Sequence, residues 1–524
     1  MSRASSENGS VNRSKEAPDD RSKEGRDGRS LRGEATGSGV VGASGSDFLQ
    51  LDIGDAPFGG RAEWLAERLR RAISDGRLPL GSRLPATRVL AAELQVSRGV
   101  VTEAYQRLSE DGHVAGRGRN GTVVVAAPAG TPSTGYLPQQ AQHSRLFTDP
   151  PGDDIFDLIR SAPARIDLSP GVPDLTAFPR AAWLRAEREV FGGLSAAGFG
   201  YGDPRGTPEL RRAVALWLAR NRGIRAEPDE VIVVAGTAQA LALIGQVLRE
   251  DGVGEIAVED PGSLGVRQHL RRQGLRTPPV SVDAEGVRVD ELAAHEAVLL
   301  TPAHQFPTGV VLGGARRRAL MRWAGDGGLI VEDDYDAEHR YDRPPVPALR
   351  SMLPERVCYA GSVSKLLAPA LRTGWVLAPP RHHEALVSAK RFADLGNPAL
   401  PQLVLARLMD SGELERHLRL VRRRHRRRRD AMITAIRDHL PGAVVHGAAA
   451  GLHLLITFEG DGAAAVTDTD LAAASLARGV KAHPLSWHRR RPGPPGLLLG
   501  YAASPTTAIV EGVAAIGDAL RDLR

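Results

Sequence analysis

The spacing of apolar residues changes character along the chain. Between Trp64 and Leu108 it is helical. Trp64, Leu65, Leu69 and Ile73 mark one face of a first helix that stops at Asp75-Gly76, and Leu90, Ala91 and Leu94 mark a short second one. Val100, Val101, Ala104, Tyr105 and Leu108 form the buried stripe of a third helix, which opens at Ser97, a good N-cap, and ends at Gly112. The run His113–Val125 then reads as a β-hairpin with a basic, Gly-rich tip. From Ile166 onward the short apolar runs Val231–Val234, Glu255–Val258, Ala297–Leu300, Leu329–Val331, Val357–Ala360 and Trp375–Leu377 alternate with amphipathic stretches. That alternation predicts an α/β domain, a mostly parallel sheet with helices on both faces.

Between and before these patterned regions the pattern fades. Residues 1–46 carry almost no large apolar side chain and are expected to form a disordered tail. Residues 127–165, rich in Ala, Pro, Gly and Gln, read as a linker between a first domain at 47–126 and a second at 166–524. No internal repeat is visible.

Three short helices and a hairpin make an α+β winged helix-turn-helix, whose third helix enters a DNA major groove. Arg88, Ser97, Arg98, Gly99 and Thr102 fall on its outward positions, and Arg117 and Arg119 at the wing tip. The net charge of +6, from 68 Lys+Arg against 62 Asp+Glu, permits a polyanionic partner without demanding one. The single cysteine, Cys358, excludes an intrachain disulfide framework and a multi-cysteine metal site. No apolar run reaches the ~20 residues of a membrane span, and the N-terminus lacks a signal-peptide pattern, so a cytoplasmic location is expected. The histidines show no metal-ligand spacing, and no metal is expected.

The chemistry concentrates in Tyr359-Ala-Gly-Ser-Val-Ser-Lys-Leu-Leu-Ala-Pro-Ala-Leu-Arg372. A lysine desolvated by apolar surroundings is neutral enough to condense with an aldehyde. Ser362, Ser364 and Arg372 offer the hydroxyls and guanidinium that a phosphate monoester needs. Together they fit pyridoxal 5′-phosphate (PLP), held as a Schiff base to Lys365. Gly236-Thr237-Ala238, between an apolar strand and a helix, is a second phosphate-binding turn. Asp333 and Tyr335, after another strand, suit a pyridine nitrogen and the ring oxygen beside it.

Two resemblances sharpen this reading. Leu84-Pro-Ala-Thr-Arg88, Val96-Ser-Arg98, Glu103–Gly112 and Gly121-Thr-Val123 resemble the DNA-binding head of GntR-type bacterial regulators, which implies DNA contacts at Arg88, Arg98 and the wing. The phosphate turn, Asp333/Tyr335, Lys365 and Arg372 stand in the order of fold-type I, aspartate-aminotransferase-like PLP enzymes. Head and body together, with Thr301-Pro-Ala-His-Gln-Phe-Pro-Thr-Gly309 and Glu332-Asp-Asp-Tyr-Asp-Ala-Glu338, resemble MocR/GabR-type regulators over residues 55–524. The resemblance implies a homodimer in which Tyr201 reaches the partner's cofactor. It also implies regulation of a double-stranded DNA operator by PLP, an amine or an amino acid. An active aminotransferase carrying a DNA-binding domain is the alternative, and a cofactor-free dimer scaffold a third reading.

Two departures bear on that choice. Ser263 stands where the family places a ring-stacking tyrosine, and Leu498 where aminotransferases place the arginine that grips a substrate carboxylate. Arg489, Arg490 or Arg491 is left as a substitute. The run Arg422–Arg429 reads either as a second DNA-binding stripe or as a helix with Leu418, Val421, Met432 and Ile436 inward.

Overall fold

The computed structural model describes residues 45–46, 49, 51–57, 60–116, 118, 121–126, 146–147, 150–341, 344–459 and 466–524. The expected tail up to residue 44, residues 127–145 and 148–149 of the expected linker, and the wing-tip Arg117 and Arg119 lie outside the described residues.

In the head, α1 (Arg61–Ser74), α2 (Thr87–Glu93) and α3 (Arg98–Glu110) bury the apolar stripes that their spacing predicts. Leu65, Leu69, Leu90, Leu94, Val101 and Leu108 make one core, whereas Val100 stays partly exposed. Ser97 has the extended backbone of an N-cap, yet its hydroxyl makes no capping bond. A short pairing of β1 (Gly45–Ser46) with β2 (Leu51–Asp52) precedes the helices. After them β3 (Val114–Gly116) pairs antiparallel with β4 (Thr122–Val124) as the wing, Gly116 opposite Thr122.

Within the stretch read as linker, Ile155–Ser161 is a helix, and its Ile155 and Ile159 pack with Leu264, Leu476 and Trp487. The body then begins with β5 (Ile166–Asp167), which pairs with β16 (Val480–Lys481). Its main sheet has eight strands: β6 (Ile232–Val234), β7 (Ala257–Asp260), β8 (Pro279–Asp283), β9 (Gly286–Val287), β10 (Ala297–Leu300), β11 (Leu329–Asp334), β12 (Val357–Ser362) and β13 (Gly374–Leu377). They lie in the order β6-β13-β12-β11-β10-β7-β8-β9. The sheet is mixed: β13 runs antiparallel to both its neighbours, and β9 antiparallel to β8.

The side chains of Ile232, Val234, Val258, Leu299, Val331 and Ala360 pack under the helix Thr237–Glu250 on one face. Val233, Tyr359, Trp375 and Leu377 pack under the helices Pro208–Arg222 and Ala399–Asp410 on the other. Strands buried on both faces explain why their sequences read as unbroken apolar runs.

A second, antiparallel sheet contains β14 (Ala443–His446), β15 (His453–Phe458), β17 (His483–Pro484) and β18 (Gly496–Gly500), in the order β14-β15-β18-β17. Between the two sheets runs the helix Glu413–His439, whose inner face carries Leu418, Val421, Met432 and Ile436 as expected. The Arg-rich run on it divides. Arg424 and Arg428 pair with buried Asp174, and Arg422 donates to the Glu338 carbonyl at 2.7 Å. Arg423, Arg426 and Arg427 are exposed. Among the described residues no helix is long and apolar enough to cross a membrane, and no cluster of His, Cys, Asp and Glu could hold a metal ion.

Candidate functional site

The carboxyl ends of β6, β11 and β12 share one edge of the main sheet, where open α/β sheets place their ligands. A cavity of about 360 Å³ opens there, lined by Thr237, Ala238, Asp333, Tyr335, Ser362, Ser364, Lys365 and Arg372. Eight of the sequence-predicted residues are thus brought together from four chain segments. Antiparallel β13 makes this possible. Gly374 pairs with Val234, so Arg372, just before the strand, lies against the turn that follows β6.

One corner of the cavity is built from that juxtaposition. The Arg372 guanidinium donates to the Ala235 carbonyl. Gly236, at φ +79° and ψ 179°, is the N-cap of the helix Thr237–Glu250, which has no side-chain cap of its own. A Cβ at Gly236 would meet the guanidinium at 3.4 Å, an ordinary contact, so the turn depends on glycine for its backbone. Ser362 Oγ donates to Ser364 Oγ at 2.8 Å and accepts from the Ser364 N–H at 3.0 Å, which fixes the turn after β12.

Lys365 follows that turn. Its ammonium loses hydration in the cavity, which lowers the pKa, while Asp336 and Asp333 pull the other way. Its Nζ lies 3.2 Å from where a Cβ at Gly171 would stand, so bare backbone floors the lysine. Asp333 is buried, and its Oδ1 has no hydrogen-bond partner. Desolvation, with Asp334 and Asp336 nearby, pushes its carboxyl up to about 7. A buried, unpartnered carboxyl oxygen is what a pyridine N–H requires, and the residues present fit the cofactor. The Tyr335 hydroxyl lies 2.9 Å from His304 Nδ1, which is also 3.0 Å from Asp336 Oδ2.

Several further residues hold the site together. The Arg222 Nε donates to Asp334 Oδ2 at 2.5 Å beneath β11, and the Tyr359 hydroxyl donates to the same oxygen at 2.6 Å. Glu259 accepts from the Thr301 N–H and hydroxyl at 3.0 and 2.7 Å, and burial pushes it up to about 7. The fully buried Lys390 binds Asp394, Asn397 and Gln239 and steadies the loop beside Arg372. Phe156, Phe306, His483 and His488 also line the cavity. Of these four, only Phe306 lay in a motif already singled out, whereas Asp334, Tyr359 and Thr301 also belong to such strings.

Other expected residues fall elsewhere. Tyr201 does not join the cavity of its own chain; its side chain is 97 % exposed. Ser263 lines the cavity and caps a helix, its Oγ accepting from the Val266 N–H at 3.3 Å. Leu498 is buried with Leu455 and Leu485. The substitution by Arg489, Arg490 or Arg491 fails. Arg489 and Arg490 donate to the carbonyls of Pro494 and Thr277, and Arg491 reaches Glu291, so all three guanidinium groups are spent outside the cavity. In the head, Arg88, Ser97, Arg98, Gly99 and Thr102 are all exposed at the start of α2 and α3, and Arg98 Nε donates to Thr87 Oγ1 at 3.3 Å.

Fold and cavity together define the class, an aminotransferase-like body joined to a winged helix-turn-helix head. Residues 61–124 match the family of bacterial regulatory proteins, gntR family, and residues 164–486 match aminotransferase class I and II. Among solved structures, the alpha-aminoadipate aminotransferase LysN of Thermus thermophilus, complexed with N-(5′-phosphopyridoxyl)-L-leucine, superposes with a TM-score of 0.64 at 27% identity. The match covers 73% of this chain and 97% of that one. The probable rhizopine catabolism regulatory protein MocR of Rhizobium meliloti is 31% identical over 86% of this chain and 91% of its own length. The HTH-type pyridoxine biosynthesis transcriptional regulator PdxR of Corynebacterium glutamicum is 31% identical over 87% and 95%. The chain belongs to the MocR-type HTH transcriptional regulators of the gntR family.

Proposed function

We propose that the body binds PLP at Lys365 and that occupancy of this cavity by PLP, an amine or an amino acid governs how the head engages an operator. The observation that carries the reading is the buried, unpartnered Asp333 oxygen sharing one cavity with Lys365 and Arg372.

When bound, PLP supplies an electrophilic aldehyde on an electron-withdrawing ring. The chain's own groups act around it. Desolvation keeps the Lys365 amine able to act as a nucleophile. Asp333 accepts from the ring nitrogen and, once paired there, is held ionised. Tyr335, steadied by His304, donates to the ring oxygen. Arg372, Ser362, Ser364, Thr237 and the free N–H groups of the Gly236–Ala238 turn bind the phosphate. Tyr201 adds to the phosphate site of the partner subunit, which makes the homodimer the working unit.

In the head, Arg88 and Arg98 hold the third helix by phosphate contacts, with Ser97, Gly99 and Thr102 facing the groove and Arg117 and Arg119 on the wing. A ligand in the body changes DNA binding only through unequal affinity for two arrangements of the heads. Ser263 and Leu498 weigh against an efficient aminotransferase: the first gives a ring no aromatic partner, and the second cannot pair a carboxylate.

The test uses the full chain. Incubation with PLP, borohydride reduction and peptide mass analysis are expected to find a pyridoxyl adduct on the Lys365 peptide. Lys365→Ala is expected to lose that adduct and the ligand dependence of operator binding together. No adduct, or unchanged ligand dependence in the variant, overturns the reading.

A further inference from the structure

Part of the cavity lining is used by none of the roles above. His483 and His488 belong to it, both buried, with Phe156 and Phe306 beside them. His488 Nδ1 accepts the Leu264 N–H at 3.3 Å, so the proton of the neutral ring sits on Nε2. That Nε2 is buried without a partner, and in His483 neither ring nitrogen has one. The wall therefore holds one committed donor and a second ring able to donate or accept. Burial pushes His483 down to about 4 and His488 well below the usual range, so both are uncharged at neutral pH.

The register explains what these rings replace. On the antiparallel pair, His483 lies directly opposite Leu498, the position where aminotransferases carry the carboxylate-gripping arginine. The cations nearby are committed to other partners: Lys481 lies by Asp167 and donates to the Arg160 carbonyl. Arg489, Arg490 and Arg491 turn outward, and the buried Arg267 spends its guanidinium on the carbonyls of Gly262, Trp487 and His488. A carboxylate at this wall would lose its hydration and meet only neutral rings. A hydroxyl or a carboxamide both donates and accepts, as two uncharged imidazole rings do.

We propose that His483 and His488 form the specificity subsite for the regulator's ligand, taking the uncharged hydroxyl or carboxamide end of a primary amine and rejecting a carboxylate. The inference rests on the PLP-sensing reading and narrows its ligand class.

The test is made on the full-length protein after PLP loading is established by absorbance. Propanolamine, β-alaninamide and β-alanine share one amine-bearing chain and differ at the far end. Calorimetry and the shift of the cofactor absorbance give their affinities. The first two are expected to bind at least about ten-fold tighter than β-alanine, the scale of one buried hydrogen bond. His483→Leu and His488→Leu are expected to remove the preference while PLP loading stays normal. Leu498→Arg is expected to turn it toward β-alanine. Equal or tighter binding of β-alanine by the unaltered protein, or no binding of either neutral-ended amine, overturns this inference alone. Failure to load PLP overturns the function reading, and this one with it.

Discussion

The Arg372 guanidinium donates to the carbonyl oxygen of Ala235, joining two segments 137 residues apart in the chain at the seam between β13 and β6. The same group faces the empty side of Gly236, so the backbone of one turn and the charge of another form one corner.

From that corner follows a comparison of PLP with pyridoxal, which lacks the phosphate. Arg372→Ala is expected to weaken PLP by roughly 10- to 100-fold, the worth of a charge-assisted hydrogen bond, and to leave pyridoxal unchanged. Gly236→Ala is expected to act in the same direction and to cost about 1–3 kcal/mol of stability, because its φ and ψ belong to a region only glycine visits freely. Absorbance titration and urea unfolding measure the two effects.

Asp333 sets a pH dependence. Its folded pKa is raised to about 7 from an ordinary 3.8, so the folded chain binds more protons than the unfolded one between those values. Stability from this group is fully present below about pH 4 and is lost as pH rises through 7. Unfolding free energy of the cofactor-free protein minus that of Asp333→Asn is therefore expected to fall between pH 4 and 7. Saturating PLP, whose ring nitrogen pairs the carboxylate, is expected to flatten that slope.

Arg222 and Asp334 are each only 1 % exposed and are placed to fail asymmetrically. Arg222→Met leaves a buried carboxylate with the Tyr359 hydroxyl alone, and is expected to cost about 3–5 kcal/mol in urea unfolding. The double variant Arg222→Met/Asp334→Leu is expected to lose less than the sum of the two single variants, since neither charge is then left unpaired.

In the head, Arg88→Ala and Arg98→Ala are each expected to lower the slope of log affinity against log salt by about one on a mixed-sequence duplex. Fluorescence anisotropy across a KCl series reads it. An unchanged slope would remove the arginine from the DNA face.

Much of this was legible in the chain. Helical spacing from Trp64 to Leu108 fixed the core of the head, because an amphipathic helix must repeat its apolar positions every three or four residues. Lys365, Asp333 and Gly236 were legible because each sits in a short string at the end of an apolar strand, where local chemistry is written contiguously.

Local strings in the chain thus name the parts: the elements, Lys365 and the Gly236–Ala238 turn. Tertiary structure alone decided that β13 runs backwards, bringing Arg372 to Ala235; that Arg222 pairs with Asp334; and that His483 stands across from Leu498. The reason is physical. Periodicity encodes which face of an element is buried, whereas strand direction, register and long-range pairing are settled by packing among residues a hundred or more positions apart.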